Sequence, residues 1–149
     1  MPTTASGAPV TAHPAQPIRR FPPHPVRDVL IRNVRQNSCP GKFAIVTLDF
    51  APLPDDESAP AVFDWPVRAR PEIRRRIRAW PDDQEWLGIL ERSLEQGVRN
   101  ALDALPATIR PAVRCTVTEL HWHEVDSNEW AFVRAGEMAV AEALRRCGM

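Results

Sequence analysis

At 149 residues, 26% of them charged and with a formal net charge of +0, the chain is long enough for one domain with a modest core. It has no global charge to draw it to nucleic acid, so any such contact must come from a local patch. No apolar run approaches the roughly 18–20 residues of a membrane span, and no apolar segment follows the N-terminal residues as a secretory signal would require. The three cysteines, Cys39, Cys115 and Cys147, are too few and too widely spaced for a disulfide framework, which points to a reducing, cytoplasmic setting.

Residues 1–25 hold seven of the sixteen prolines. Such a segment buries too little apolar surface to offset its ordering entropy, so it reads as a disordered or partly polyproline arm. Residues 26–149 form the expected domain. The span 26–35 reads as a strand, with Val29 and Ile31 in phase and Leu30 and Val34 out of phase. Asn37-Ser-Cys-Pro-Gly41 is turn chemistry, in which Pro40 fixes one dihedral and Gly41 permits a positive φ. Phe43, Ile45, Thr47 and Asp49 then alternate with Ala44, Val46, Leu48 and Phe50. That strand is apolar on both faces at its centre and belongs inside a sheet, paired with its predecessor as a hairpin.

The acidic, proline-bounded span 53–60 is a loop, and Val62-Phe-Asp-Trp65 is a short third strand that Pro66 and Pro71 keep from extending. Six arginines follow within about a dozen residues: Arg68, Arg70, Arg74, Arg75, Arg76 and Arg78. After Asp82 or Asp83 as a cap, Trp86, Leu90, Leu94, Val98, Ala101, Leu102 and Leu105 recur at three- and four-residue steps. They predict an amphipathic helix that ends before Pro106, with Glu95 and Arg99 paired on its wet face. A strand over 112–120 carries Val113, Cys115 and Val117 at every second position. Asp126 and Glu129 have the spacing of a capping box, which starts the last helix at Ser127 and leaves residues 122–126 as an exposed corner. That helix runs to Arg146, and its small Ala135, Gly136 and Ala139 allow close approach to a neighbour. The order strand, strand, short strand, helix, strand, helix predicts a two-layer α+β sandwich: a small four-stranded sheet, mostly antiparallel or mixed, with both helices on one face.

The segment His123-Glu-Val-Asp-Ser-Asn-Glu-Trp-Ala-Phe132 resembles the part of translational elongation factor G, domain IV, that reads His-Asp-Val-Asp-Ser-Ser-Glu-Met/Leu-Ala-Phe. Ser93-Leu-Glu-Gln-Gly-Val-Arg-Asn-Ala101 resembles the first helix of that domain, and Arg35, Gln36, Gly41, Val46, Leu48, Pro52 and Leu53 fall on its first hairpin. The likeness spans roughly residues 26–144. It implies a left-handed βαβ crossover like one in a small-subunit ribosomal protein, and a free-standing copy of that single domain. The hairpin tip departs from the family, because Asn37-Ser38-Cys39-Pro40 replaces a glycine-rich turn that carries an arginine. The chain also has no Gly-x4-Gly-Lys-Ser/Thr phosphate loop.

The resemblance implies a non-catalytic module that needs no cofactor, nucleotide or metal and touches the ribosome or structured RNA. Its contact residues would be Arg35, Gln36, Gly41 and Lys42 on one loop and His123, Glu124, Asp126 and Ser127 on the other. Chemistry adds His123 as a donor to a phosphate or 2′-hydroxyl, Trp122 as a stacking surface, and Arg74, Arg75 and Arg76 as phosphate ligands. Two other readings are open. His121 and His123, near Glu119 and with Cys115 on the same strand parity, could bind zinc, or serve as a general base with Glu124. The small-residue face of the last helix could instead offer an apolar edge to a second copy or a larger protein partner.

Overall fold

The structure is a computed structural model and describes residues 17–37, 41–55, 57–67, 70–71, 83–123 and 125–149. Its elements are β1 (Arg19–Phe21), β2 (Val26–Arg35), β3 (Lys42–Pro52), β4 (Ala61–Asp64), β5 (Arg70–Pro71), α1 (Asp83–Asp103), β6 (Ile109–Pro111), β7 (Val113–Trp122) and α2 (Glu129–Arg146). The main sheet runs β2-β3-β7-β4. Its first two pairings are antiparallel, β4 lies parallel to β7, and β5 adds a short parallel pairing on β7. This is the mixed sheet of the expected α+β sandwich, with β5 as a fifth strand. The strand boundaries lie within two residues of the hydrophobic pattern, and β3 is interior as its two apolar faces require.

One addition goes beyond the hydrophobic pattern. Arg19–Phe21 pairs parallel with Ile109–Pro111 in a separate two-stranded sheet. The expectation of a disordered arm to Pro25 is corrected here: Phe21 is fully buried and packs its ring 6.2 Å from that of Phe50. One large aromatic side chain, worth up to about 3 kcal/mol when buried, outweighs the local proline content. The rest of the arm lies outside the described residues.

On β3, Ala44, Val46, Leu48 and Phe50 are fully buried and share one cluster with Val29 and Ile31 of β2 and with both helices. Where β3 meets β7 the register slips: Thr47 pairs with Glu119 but Leu48 with Val117, which leaves Thr118 as an extra residue. A β-bulge of this kind flips the side-chain alternation. Val113, Cys115 and Val117 are buried before it, Leu120 and Trp122 after it. A second slip on β2 places Asp28 at φ 55°, and its N–H donates to Asp49 Oδ1 at 2.8 Å. At the far end of α2, Arg146 Nη1 donates to the Arg27 carbonyl oxygen at 2.8 Å, so the helix terminus is tied to that irregular stretch.

Leu90, Leu94, Val98 and Leu102 of α1 are buried, while Trp86, Ala101 and Leu105 pack at the margin of the core. Glu95 and Arg99 form the expected pair at 3.0 Å. The two helices meet at their glycines. A Cβ on Gly97 would lie 1.9 Å from the Val133 carbonyl oxygen, and one on Gly136 would lie 2.4 Å from that of Leu94. Ala135, Ala139 and Ala143 are fully buried beside them. The small-residue face of α2 is therefore consumed inside the molecule, and the expectation that it offers an edge to a second copy or a larger partner is corrected.

Because backbone atoms bound both glycines, Gly97→Ala and Gly136→Ala are each expected to destabilise the fold by about 3 kcal/mol, the upper end for overpacking. The gain of about 1 kcal/mol in helix propensity does not offset this. Gly88→Ala is the control: its Cβ would meet only the end of the Arg92 side chain, at 3.3 Å, and should be neutral or slightly stabilising. Urea unfolding of the three variants checks this. Equal effects at all three sites would refute the crossing argument.

Candidate functional site

The β2–β3 loop and the β7–α2 connection form one corner at the same end of the sheet. Three side chains join them. Ser127 Oγ donates to the Phe43 carbonyl oxygen at 2.7 Å and accepts the His123 N–H at 2.8 Å. Asn128 Nδ2 donates to the Gly41 carbonyl oxygen at 3.0 Å. Gln36 Nε2 donates to Asp126 Oδ2 at 3.3 Å. The pairings explain why these groups meet: β3 lies between β2 and β7, so Gln36 and Gly41 come near the end of β7, and α2 must begin there to reach the core with Ala131 and Phe132, both buried.

The expected capping box is not what starts α2. Asn128 is the N-cap, with extended backbone, and its Oδ1 accepts the Ala131 N–H at 2.9 Å. Asp126 instead turns to the corner. It lies 3.5 Å from His123 Nδ1 and takes the space that a side chain on Gly41 would fill, 2.2 Å from a Cβ there. Gly41 is not at positive φ. Its small size, rather than its conformational freedom, is what the corner uses.

His123 is more engaged than the sequence suggested. Its Nδ1 accepts the N–H groups of Val125 and Asp126 at 3.2 and 3.1 Å, and its ring lies 5.5 Å from that of Phe43. Accepting on Nδ1 assigns the proton to Nε2. Two expected contact residues belong inside. Trp122 is only 5% exposed and part of the core, and Ser127 is buried. The bulge at Thr118 turns Trp122 inward, which an unbroken alternation could not reveal. Arg35, Gln36 and Lys42 are exposed, and so is Val125 at the tip of the turn. Glu124, Arg74, Arg75 and Arg76 lie outside the described residues.

The same bulge dismantles the proposed zinc set. Cys115 is on the buried face, whereas Glu119 and His121 sit on the other face, 3.7 Å apart. Burial pushes the Cys115 thiol up to about 12, so at neutral pH it stays protonated rather than forming the thiolate a metal takes. Among the described residues, no three His, Cys, Asp or Glu side chains gather as a metal site.

Sequence reasoning also passed over a cleft of about 500 Å³ beside the corner, lined by Asn33, Lys42, Trp130 and Arg134 among others. The signal was present. The buried stripe of α2 runs Phe132, Ala135, Gly136, Ala139, Val140 and Ala143, and Trp130 and Arg134 fall on the opposite side of the helical wheel.

These ties give distinguishable costs. Asn128→Ala removes the helix cap and the bond to Gly41 and is expected to destabilise by about 1–2 kcal/mol. Ser127→Ala leaves a buried carbonyl and N–H short of a partner, at about 1–3 kcal/mol. Asp126→Ala removes no cap and should cost less than either. Denaturant unfolding ranks them, and an Asp126 effect above that of Asn128 would restore the capping-box assignment.

No family model matches the chain. Elongation factor G 2 of Streptomyces coelicolor is 31% identical over 120 residues, which are 79% of this chain and 16% of that protein. A solved structure from Thermus thermophilus, 18% identical, aligns with 80% of this chain and 16% of its own at a TM-score of 0.48. The chain thus spans a small part of the length of the relatives it matches. Over its matched stretch it is similar to a part of elongation factor G.

Proposed function

We propose that this chain is a non-catalytic module that contacts the ribosome or structured RNA through the joined corner. One observation carries the reading: two segments far apart in sequence, each matched to a contact loop by the resemblance to domain IV, are hydrogen-bonded to one another. The likeness to elongation factor G supports the same class of partner. The groups divide by exposure. Arg35, Gln36 and Lys42 reach solvent and meet phosphates, and His123 donates from Nε2. Gly41, Trp122, Asp126 and Ser127 hold the corner in shape.

The arginine stretch fits this reading by chain connectivity. Pro71 pairs with Trp122, at the corner end of the sheet. Arg74, Arg75 and Arg76 follow Pro71 by three to five residues in sequence. Arg35 and Lys42 are exposed and supply local positive charge although the net charge is +0.

Ribosome co-sedimentation from low salt to about 200 mM tests the proposal. Affinity should fall steeply with salt. Arg35→Ala with Lys42→Ala should weaken binding and reduce the salt slope by roughly 0.7–0.9 for each phosphate left unneutralised. The Arg74, Arg75 and Arg76 triple alanine variant should do the same. Binding indifferent to salt and to both sets of changes would overturn the proposal.

A further inference from the structure

The cleft beside the corner has a composition of its own. Trp130 lines it and is 81% exposed, the most exposed of the large hydrophobic side chains among the described residues. An indole left in water on the first turn of a helix is not there for packing, because α2 buries Ala131 and Phe132 instead. Two cations border the same space. Lys42 makes no ion pair among the described residues, and Arg134 is 61% exposed with a single 3.4 Å contact to Glu137 Oε2. Asn33 completes the wall. Its Nδ2 is used, donating to the Ala131 carbonyl oxygen at 3.0 Å, which leaves Oδ1 as an acceptor. At about 500 Å³ the cleft falls in the usual range for small-ligand sites, roughly 300–1,000 Å³.

An aromatic surface, two cations and one amide acceptor match one unstacked nucleotide of a single RNA strand. Stacking on an aromatic side chain suits any base, cations follow the backbone, and an amide oxygen accepts from an exocyclic amine. An acidic peptide would satisfy the cations but leave the indole uncovered. A duplex could not present a free base face to Trp130. We infer that this cleft is a single-nucleotide pocket, in which a base splayed from an RNA strand stacks on Trp130 while its flanking phosphates meet Lys42 and Arg134. The inference rests on the proposed RNA-contact reading and deepens it. It locates a second contact beside the corner, with Lys42 common to both.

The test is fluorescence anisotropy with a labelled single-stranded RNA of about ten nucleotides, against an RNA duplex of equal length. Wild-type protein should bind the single strand more tightly. Trp130→Ala should weaken that binding about tenfold or more, and Trp130→Phe, which keeps a stacking ring, should restore most of it. Arg134→Ala should lower the salt slope by roughly 0.7, the value for one phosphate of a single strand. Trp130 lies outside the core, so its variants should unfold as the wild type does, which a melting curve checks. No measurable binding of the single strand, or equal affinity of Trp130→Ala, overturns the pocket. Failure of the two ideas can be told apart: if Trp130→Ala leaves ribosome binding intact while Arg35→Ala with Lys42→Ala abolishes it, the corner stands and the pocket falls.

Discussion

The contact of backbone with backbone at Gly97 and Gly136 governs the rest of the molecule. With no side chain between them, α1 and α2 approach until carbonyl oxygens occupy the space a methyl group would need. That distance lets both helices share one cluster with the buried face of the sheet. It also fixes where α2 begins. A helix displaced outward by even a methyl would carry Asn128 and Ser127 away from Gly41 and Phe43, whose carbonyls they hold at 3.0 and 2.7 Å. Hydrogen bonds fall off steeply beyond such distances, so the corner depends on a packing constraint two helical turns away.

Much of this was legible, because it depends on period and composition. The alternation on β3 predicted an interior strand, and the three- and four-residue recurrence from Trp86 to Leu102 predicted α1. The small residues of α2 predicted a close helix contact, although not that it would be internal. What the pattern could not carry were its own interruptions. One extra residue, Thr118, reverses the facing of everything after it on β7. An unbroken alternation put Cys115 with His121 and left Trp122 free, and the bulge separates the first pair and buries the tryptophan. Bulges are set by pairing across strands, which a single strand's sequence does not display.

Capping shows a second limit of the same kind. Asp126 with Glu129 and Asn128 with Ala131 are both sound local solutions to the free amides of a helix start. Helix propensity does not choose between them. The choice falls to the β2–β3 loop: Asn128 can cap α2 and donate to Gly41 at once, while Asp126 is held by Gln36 and sits in the space above Gly41. Each residue then serves one local and one long-range contact, and the long-range one decides the local structure. The pairing of Arg19–Phe21 with Ile109–Pro111 escaped notice for the same reason, since its partner lies about ninety residues away and has no periodicity to announce it.

The proposed contact with a polyanion does not need a net positive chain. What matters is which charges are tied inward. At the corner the carboxylate of Asp126 is engaged by Gln36 and lies close to His123, which lowers its reach into solvent. Lys42 and Arg35 stand exposed, and Lys42 pairs with no carboxylate among the described residues. Exposed charges act over a Debye length of about 8–10 Å, so it is these accessible cations, not the sum over the chain, that a nearby anion meets. Glu142 shows the opposite end of α2 arranged the other way. Hydrogen bonds from Arg145 and Arg146 hold its carboxyl down at about 2, so those two arginines are matched by an anion and one of them is further bound to the Arg27 carbonyl. Among the described residues, Arg145 and Arg146 are held by Glu142 at one end of α2, whereas Lys42, which lines the cleft with Trp130 near the other end, makes no ion pair.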